Sequence, residues 1–350
     1  MKRILIINPF GIGDVLFTTP LVSNLKDAFP DSFIGYVCNA RARDILSGNR
    51  RIDKIFVYEK DVFRVLWKAS KLLCIKELFR LLLSIKRQRF DVVFDLSMAQ
   101  EYGLFSWLLG ISTRVGYNYK NRGVFLTDRI SIDGYDKKHI AEYYTDLLQL
   151  VDVQPRATGL EFQVDEGDRR SADNFLREHG VSHEDSLVGI IPGGGASWGP
   201  SSFRKHWPVN RFAALADRIA SRPNTKIVLF GDINEMGLCN QAASLMKAPA
   251  ILACGRTTLG EFAAMLKRCV FAVCNDGGPL HIAVSQGVKT VSIFGPVNPD
   301  VYGPYPKEGH VVISRGMACQ PCYQKFKLRE CGHMDCLSDI TVEEVLGKIQ

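Results

Sequence analysis

The sequence lacks several features that define common functional classes. Asp-x-Asp does not occur anywhere in its 350 residues, so the carboxylate pair that often holds a divalent cation against a diphosphate is missing. No run of 18 apolar residues is free of charged side chains, and we therefore expect no membrane-spanning helix. The N-terminal MKRILIINPF continues directly into a predicted strand without a small-residue cleavage site, which argues against a secretory leader.

A dinucleotide-binding fingerprint is also missing. The first glycine-rich turn reads Gly11-Ile12-Gly13-Asp14, and Leu16 stands where the fingerprint requires its third glycine. An acidic side chain in this turn would also repel a pyrophosphate. The turn therefore disfavours a nicotinamide-dependent oxidoreductase.

Charge is distributed unevenly along the chain. Residues 41–90 hold 14 Lys and Arg against 5 Asp and Glu, a net charge of +9, whereas the whole chain carries +7. The residues outside this block therefore carry a net charge of −2, which is close to neutral. A local basic block indicates an anionic surface or substrate, and the overall balance is not that of a nucleic-acid-binding protein.

Short apolar runs alternate with helical patterns from end to end, which predicts an α/β fold with parallel sheets and crossover helices. The strands are predicted at residues 3–8, 33–38, 54–57, 91–95, 187–191, 226–230, 250–253, 270–275 and 290–294. The rhythm breaks between residues 151 and 189, where only residues 160–164 resemble a core strand. We therefore predict two doubly wound domains, residues 1–165 and 166–350, with a ligand site in the cleft between them.

The segment from residue 62 to residue 90 is too long for one simple crossover. Its apolar residues recur at helical spacing, and eight Lys and Arg residues on its flank face a single acid, Glu77. We predict a basic amphipathic helix or helix pair. It is either a crossover with a solvated face or a helix on an anionic membrane surface or lipid substrate.

Three predicted strands end in glycine-rich loops, where doubly wound folds bind their ligands. In the first loop, Asp14 is either a helix N-cap or a general base. In the second, PGGGASWGPSSFRK, the glycine amides and Ser197 suit phosphate oxygens and Lys205 supplies a positive charge.

The third loop, NDGGPLHIA, leads from a strand into a helix. The amides of Gly277 and Gly278 lie at the predicted helix N-terminus, which favours anions. Asp276 suits sugar hydroxyls, and His281 lies one turn into the helix. A lone histidine is more often structural than functional.

The last four of the ten cysteines form a cluster, whereas the other six are scattered and suit small buried positions. Their spacing is C-x₂-C-x₈-C-x₄-C, formed by Cys319, Cys322, Cys331 and Cys336. Four thiolates so close together suit a structural zinc or iron–sulfur site. Reduced buried thiols and two disulfides are the alternatives.

The motifs together resemble glycosyltransferase family 9, the heptosyltransferases of lipopolysaccharide core synthesis. The matching pieces are GIGDVLFTTPLV (11–22), TRVGY (113–117), KKHIAEYYTDLL (137–148), PGGGAS and FRKHWP (192–208), CGRTTLGEFAAML (254–266), NDGGPLHIA (275–283) and FGPVNPDVYGP (294–304). Their order matches along nearly the whole chain. The chain departs from the family pattern at Gly277-Gly278, where Thr-Gly is frequent.

This resemblance implies a GT-B fold, two Rossmann-like domains facing a central cleft, and inverting sugar transfer that needs no metal or other cofactor. It implies that Asp14 is the catalytic base. The donor, a nucleotide sugar such as ADP-heptose, would bind the C-terminal domain at Ser197, Lys205, Asp276, Gly277, Gly278 and His281. The anionic glycolipid acceptor would bind the N-terminal domain at Gly11, Gly13, Thr18, Arg64 and Lys68.

The same resemblance implies a cytoplasmic protein held peripherally at the inner face of the cytoplasmic membrane. Two further readings share the fold class: a sugar-nucleotide epimerase, and a non-catalytic lipid-binding protein. Release of free nucleotide only in the presence of an acceptor distinguishes transfer from epimerisation. Failure to bind any nucleotide sugar would favour the lipid-binding protein.

Overall fold

The computed structural model describes residues 1–195 and 198–349. Within these residues the strands form two six-stranded sheets, each with parallel neighbours throughout, and one small antiparallel hairpin. The predicted α/β fold with two doubly wound sheets is confirmed. The chain forms two compact units, one of Met1–Tyr135 and Ile140–Glu161, the other of Asp136–His139 and the chain from Phe162.

The first unit has a sheet in the order β3-β2-β1-β4-β5-β6. Its strands are β1 (Arg3–Ile7), β2 (Phe33–Cys38), β3 (Lys54–Val57), β4 (Val92–Asp95), β5 (Thr113–Tyr119) and β6 (Asp128–Ile132). Its helices are α1 (Ile12–Leu16), α2 (Thr19–Ala28), α3 (Arg43–Ser47), α4 (Lys60–Ala69), α5 (Lys71–Lys86), α6 (Gln100–Leu108) and α7 (Ile140–Asp146), with 3-10 turns at Ala40–Ala42 and Leu147–Val151. The strand order reverses between β1 and β4, so their carboxyl ends form the switch point where such sheets bind ligands.

The second unit repeats this plan in the order β12-β11-β10-β7-β8-β9. Its strands are β7 (Ser186–Ile191), β8 (Thr225–Leu229), β9 (Ala250–Leu252), β10 (Cys269–Asn275), β11 (Lys289–Ile293) and β12 (Val311–Ile313), followed by the hairpin β13 (Tyr323–Gln324) and β14 (Lys327–Leu328). Its helices are α8 (Glu166–Glu178), α9 (Val209–Ala220), α10 (Met236–Leu245), α11 (Leu259–Lys267), α12 (Gly278–Ser285), α13 (Pro299–Tyr302), α14 (Asp335–Ser338) and α15 (Val342–Leu346), with 3-10 helices at Gly199–Lys205 and Ile233–Glu235. The switch point here lies between β7 and β10.

The central strands are apolar runs because helices cover both faces of each sheet. Ile4, Leu5, Ile6 and Ile7 in β1 are all buried. Strands β5, β6 and β12 were not predicted, since they are polar or very short and lie toward the sheet edges.

Residues 160–164, which resemble a core strand in the sequence, belong to no strand in the structure. Backbone amides in and just before this segment donate to side chains of helix α2. The amide of Arg156 donates to Asn24 Oδ1 at 2.7 Å, and that of Glu161 donates to Thr19 Oγ1 at 2.9 Å. Leu160, Phe162 and Val164 are nevertheless buried, so their alternation resembles that of a core strand.

Candidate active site

In the second unit, two glycine-rich loops leave the sheet side by side. Strands β7 and β10 are neighbours, with Ile191 opposite Cys274, so both loops start at the switch point. The buried side chain of Asn275 donates to the carbonyl oxygens of Pro192 and Gly193 at 2.8 and 3.0 Å. Its Oδ1 accepts from the backbone amide of Trp207 at 2.9 Å. Asn275, which the sequence analysis missed, therefore joins both loops to the segment that carries Lys205.

The two loops approach so closely that Gly277 has no room for a side chain. A Cβ on Gly277 would lie 2.0 Å from the carbonyl oxygen of Gly194. The backbone of Gly277 is extended, so the glycine is required by this contact and not by a left-handed conformation. Gly277 is also the N-cap of α12, and Gly278 is the first residue of that helix.

Lys205 and Asp276 form a buried ion pair between these loops. Nζ of Lys205 lies 2.7 Å from Oδ2 of Asp276, and the two side chains are 9% and 5% exposed. Nζ also lies 4.3 Å from the centre of the Trp198 ring, a distance at which a cation is attracted to the aromatic face. The ammonium group is therefore held in one place beside the glycine backbone.

Glu235 is a further residue of this site that the sequence analysis missed. Its Oε1 accepts from the backbone amides of Gly194 and Gly195, each at 2.9 Å, and its Oε2 accepts from the amide of Asp232 at 3.0 Å. The signal in the sequence is Asp232-x-x-Glu235, a capping box directly after the end of β8. Glu235 fixes the conformation of the glycine loop.

Two buried histidines accompany the ion pair. Burial, with electrostatic repulsion from Lys205 and from His139 when that ring is protonated, lowers the pKa of His281 well below its usual value. Burial also lowers the pKa of His139 to about 4. Its Nε2 donates to the carbonyl oxygen of Gly303 at 3.1 Å, and its ring stacks on Tyr305. Both rings are therefore neutral at pH 7, and neither adds positive charge to the site.

The arrangement in the second unit suits a phosphate group that is held without a metal. The ammonium group of Lys205 has three N–H donors. Asp276 lies on one side of it, and a phosphate oxygen could accept from a donor on another side. The N-terminus of α12 adds a partial positive charge. Ser197, the remaining predicted phosphate ligand, lies outside the described residues.

In the first unit, Asp14 lies at the carboxyl end of β1 in the first turn of α1. The N-cap of this helix is Gly11 and not Asp14, so the capping alternative is wrong. Oδ2 of Asp14 points back over Gly11, where a Cβ would lie 3.7 Å from it. The half-buried carboxylate thus lies at a glycine turn beside the switch point of the first sheet.

The turn before Asp14 is fixed by two asparagines that the sequence analysis missed. Nδ2 of Asn8 donates to the backbone oxygen of Asp14 at 3.1 Å, and Oδ1 of Asn8 accepts from the amide of Phe10 at 3.0 Å. The side chain of Asn39 donates to the backbone oxygens of Pro9 and Phe10. The loop therefore has a defined shape.

The predicted acceptor residues fall into different environments. Gly11 is exposed and Gly13 half-buried in the turn, whereas Arg64 and Lys68 are exposed on α4. Thr18 is fully buried, and its hydroxyl donates to the backbone oxygen of Val15 and pairs with Tyr36 Oη at 2.7 Å. Its placement favours a structural role over the predicted acceptor contact, because the hydroxyl is used inside the core.

Asp95 is a second carboxylate at the same switch point. It ends β4 and lies opposite Ile7 of β1. Burial raises its pKa to about 6, although hydrogen bonds from the Ser97 hydroxyl and amide oppose the shift. The signal in the sequence is an acid directly after the apolar run VVF. Because this acid lies within the strand predicted at residues 91–95, it was not recognised as a site residue.

The four late cysteines gather in the second unit. Cys322, Cys331 and Cys336 line a cavity of about 320 Å³ together with His333 and Arg204, and the thiol of Cys322 is in contact with those of Cys319 and Cys331. Within residues 1–195 and 198–349, however, no group of three or more His, Cys, Asp or Glu side chains has a metal-binding arrangement. All ten cysteines are free thiols, and of the late four only Cys322 and Cys336 are buried. The predicted metal site therefore gains no support, and the alternative of reduced buried thiols fits only these two.

In the described part of the chain, no helix is both long enough and apolar enough to cross a membrane.

Comparison with known proteins gives a consistent set of relatives. The profile of "Glycosyltransferase family 9 (heptosyltransferase)" matches residues 78–333. Lipopolysaccharide heptosyltransferase 2 of Salmonella typhimurium is 25% identical over 99% of this chain and 97% of its own length.

Solved structures agree with this result. A glycosyl transferase family 9 protein from Veillonella parvula superposes with a TM-score of 0.81 at 27% identity, covering 99% of this chain and 95% of its own. The E. coli ADP-heptose lps heptosyltransferase II has a TM-score of 0.77 at 23% identity, covering 100% and 97%. The second likeness concerns the fold alone.

Proposed function

Because this chain belongs to glycosyltransferase family 9 and is therefore a glycosyltransferase with the GT-B fold class, we propose that it transfers heptose from ADP-heptose to an anionic glycolipid of the lipopolysaccharide core. The resemblance drawn from its sequence motifs is confirmed at the level of the family. The family description supports heptose as the sugar. The name of the full-length Salmonella relative supports lipopolysaccharide as the acceptor class.

The observation that carries the proposal is the buried Lys205–Asp276 pair beside Gly277. We assign the donor diphosphate to this place, with Lys205 and the N-terminus of α12 as its positive charges. Asp276 holds Lys205 in position, and His281 is a buried, neutral residue in the first half of α12. This assignment gives the second unit the donor and the first unit the acceptor.

The proposed reaction is a single displacement with inversion at the anomeric carbon. The acceptor hydroxyl oxygen attacks this carbon, and Asp14 accepts the hydroxyl proton as the new bond forms. The bond from the anomeric carbon to the diphosphate oxygen breaks, and its electron pair leaves with ADP. Lys205 and the helix amides stabilise the negative charge on the leaving group, so the reaction as proposed needs no metal.

The first experiment measures ADP release with a panel of nucleotide sugars, each with and without a delipidated lipopolysaccharide acceptor. We expect ADP only when ADP-heptose and acceptor are both present, and no effect of EDTA. Conversion of the sugar nucleotide without acceptor would instead indicate an epimerase. No binding of any nucleotide sugar would contradict the donor assignment.

The second experiment tests Asp14. General-base catalysis contributes about 10²–10⁴-fold, so Asp14→Asn should lose that much kcat and keep the Kd for ADP. The matched control is Asp27→Asn, which removes an exposed carboxylate from the same unit. Normal turnover by the Asp14 variant would remove this residue from the mechanism.

A further inference from the structure

Helices α4 and α5 carry a surface that the proposed reaction does not explain. One stripe of α5 faces inward and contains Cys74, Leu78, Leu81 and Ile85, spaced by three or four residues. Cys74 and Ile85 are buried, and Leu81 and Ile85 pack into the core of the first unit. This stripe is sufficient to attach the helix to its sheet.

A second apolar stripe of α5 points away from the core. It consists of Leu72, Ile75 and Phe79, which are 82%, 54% and 64% exposed. Their spacing of three and four residues places them on one face of the helix, and that face differs from the buried one. Helix α4 adds Val62, Val65 and Trp67, each at least half exposed. Large apolar side chains are thus exposed on both helices, and we call the solvent-exposed surface of this helix pair the outer face.

The same helices carry an excess of positive charge. Residues 60–90 contain nine Lys and Arg and only two acids, Asp61 and Glu77. Each acid is paired with an arginine on its own helix, Arg64 and Arg80, at 2.8 Å. The net charge of this segment, +7, equals that of the whole chain.

We propose that the outer face of α4 and α5 docks on an anionic lipid bilayer, with both helices lying in the plane of the headgroups. The exposed apolar side chains would enter the boundary of the acyl chains, and the lysines and arginines would meet anionic headgroups. Long basic side chains suit this position because their methylene stems cover apolar surface while their charges reach the headgroups.

The charge favours a membrane over a protein partner. The cores of protein interfaces are depleted in lysine, whereas here lysines are interspersed with the exposed apolar residues. The docking surface deepens the proposed function, since it would place the enzyme where a lipid-linked acceptor lies. Its test requires neither donor nor acceptor, so it can fail while the proposed transfer activity stands.

The experiment measures co-flotation of the full chain with vesicles of neutral phosphatidylcholine alone or with 30 mol% phosphatidylglycerol, roughly the anionic content that gives a substantial surface potential. We compare the wild type with a charge variant and an apolar variant. The charge variant is Lys71→Gln/Lys76→Gln/Lys86→Gln, and the apolar variant is Leu72→Ser/Ile75→Ser/Phe79→Ser. The matched controls, which alter exposed residues elsewhere, are Arg169→Gln/Arg170→Gln/Arg177→Gln on α8 and Val124→Ser/Leu245→Ser/Val270→Ser.

We expect the wild type to bind anionic vesicles and not neutral ones. Each basic residue near such a surface changes the partition coefficient about fivefold, so the charge variant should lose about 100-fold, and the apolar variant at least about tenfold. Both controls should bind like the wild type. All variants should keep the wild-type melting temperature, because the altered side chains are exposed.

Three results would overturn the proposal. The first is equal binding of the wild type to neutral and anionic vesicles, and the second is unchanged binding of both variants. The third is a dimer, seen by sedimentation, that dissociates in the apolar variant while no protein floats with vesicles. That outcome would assign the outer face to a second copy of the chain.

Discussion

The buried ion pair between Lys205 and Asp276 allows a quantitative test of the donor site. The Nζ–Oδ2 distance is 2.7 Å and both side chains are less than one tenth exposed. At an effective dielectric constant of about 20, two charges at this distance attract each other by about 6 kcal/mol. Much of this attraction offsets the cost of removing both charges from water. Loss of one partner leaves the other buried and uncompensated.

We therefore predict that Lys205→Met and Asp276→Asn each lower the free energy of unfolding by about 3–5 kcal/mol. The double variant should be more stable than the sum of the two losses implies, by about 2–3 kcal/mol. All three variants should lose affinity for ADP, because each lacks either the ammonium group or the carboxylate that positions it. Adding the second substitution to the first should therefore cost less stability than that substitution does alone, whereas it should not restore the affinity for ADP.

The assay is urea denaturation at pH 7.5, followed by tryptophan fluorescence. Trp67 and Trp107, about half exposed in the first unit, are replaced by Phe in all proteins, so that Trp198 and Trp207 report on the second unit alone. Isothermal titration with ADP measures binding. The matched control is Lys307→Met with Asp300→Asn, a pair of the same residue types that is 69% and 74% exposed.

An exposed pair contributes about 0–1 kcal/mol, so the control substitutions should have small effects on stability. Single losses at Lys205 and Asp276 that add within about 0.5 kcal/mol would refute the argument, because such sites are independent. Unchanged ADP affinity in Lys205→Met would separately remove this lysine from the donor site.

Two further predictions concern the glycine loop and the buried acid. In Gly277→Ala the new Cβ must push Gly194 away from its position 2.0 Å distant, so ADP affinity measured by titration should fall at least about tenfold, whereas Gly237→Ala, with open space around it, should bind normally. Asp95 has its pKa raised from 3.8 to about 6 by burial, so its ionisation in the folded state destabilises the protein as pH rises from about 4 to 6. Asp95→Asn should therefore gain up to about 3 kcal/mol over the wild type at pH 7 and little at pH 4, and parallel stability curves for the two proteins would contradict this.

Much of the fold was predictable because local patterns are strong in parallel sheets. Strands buried on both faces must be apolar runs, and they stand out between amphipathic helices. Glycine-rich loops at the ends of such runs, with Asp14, Lys205 and Asp276, mark the places where this fold binds ligands. The edge strands β6 and β12 and the neighbouring strand β5 escaped prediction because partly exposed strands lack that apolar run.

Other features depend on residues that are far apart in the chain. Asn275 bonds to Pro192 and Gly193, more than 80 residues away, and Glu235 reaches the amides of Gly194 and Gly195 across about 40 residues. No local pattern contains such a contact. Thr18 shows the converse, since its motif suggested a ligand contact and its burial shows a hydroxyl used inside the core.

The sequence by itself determined the family, the two doubly wound sheets and the loops that carry the candidate chemistry, because these depend on residue type and short-range spacing. The tertiary structure decided which charges are paired, which side chains hold the loops, and which apolar stripe of α5 is left outside. Those properties depend on burial, and burial is set only when distant segments pack against each other.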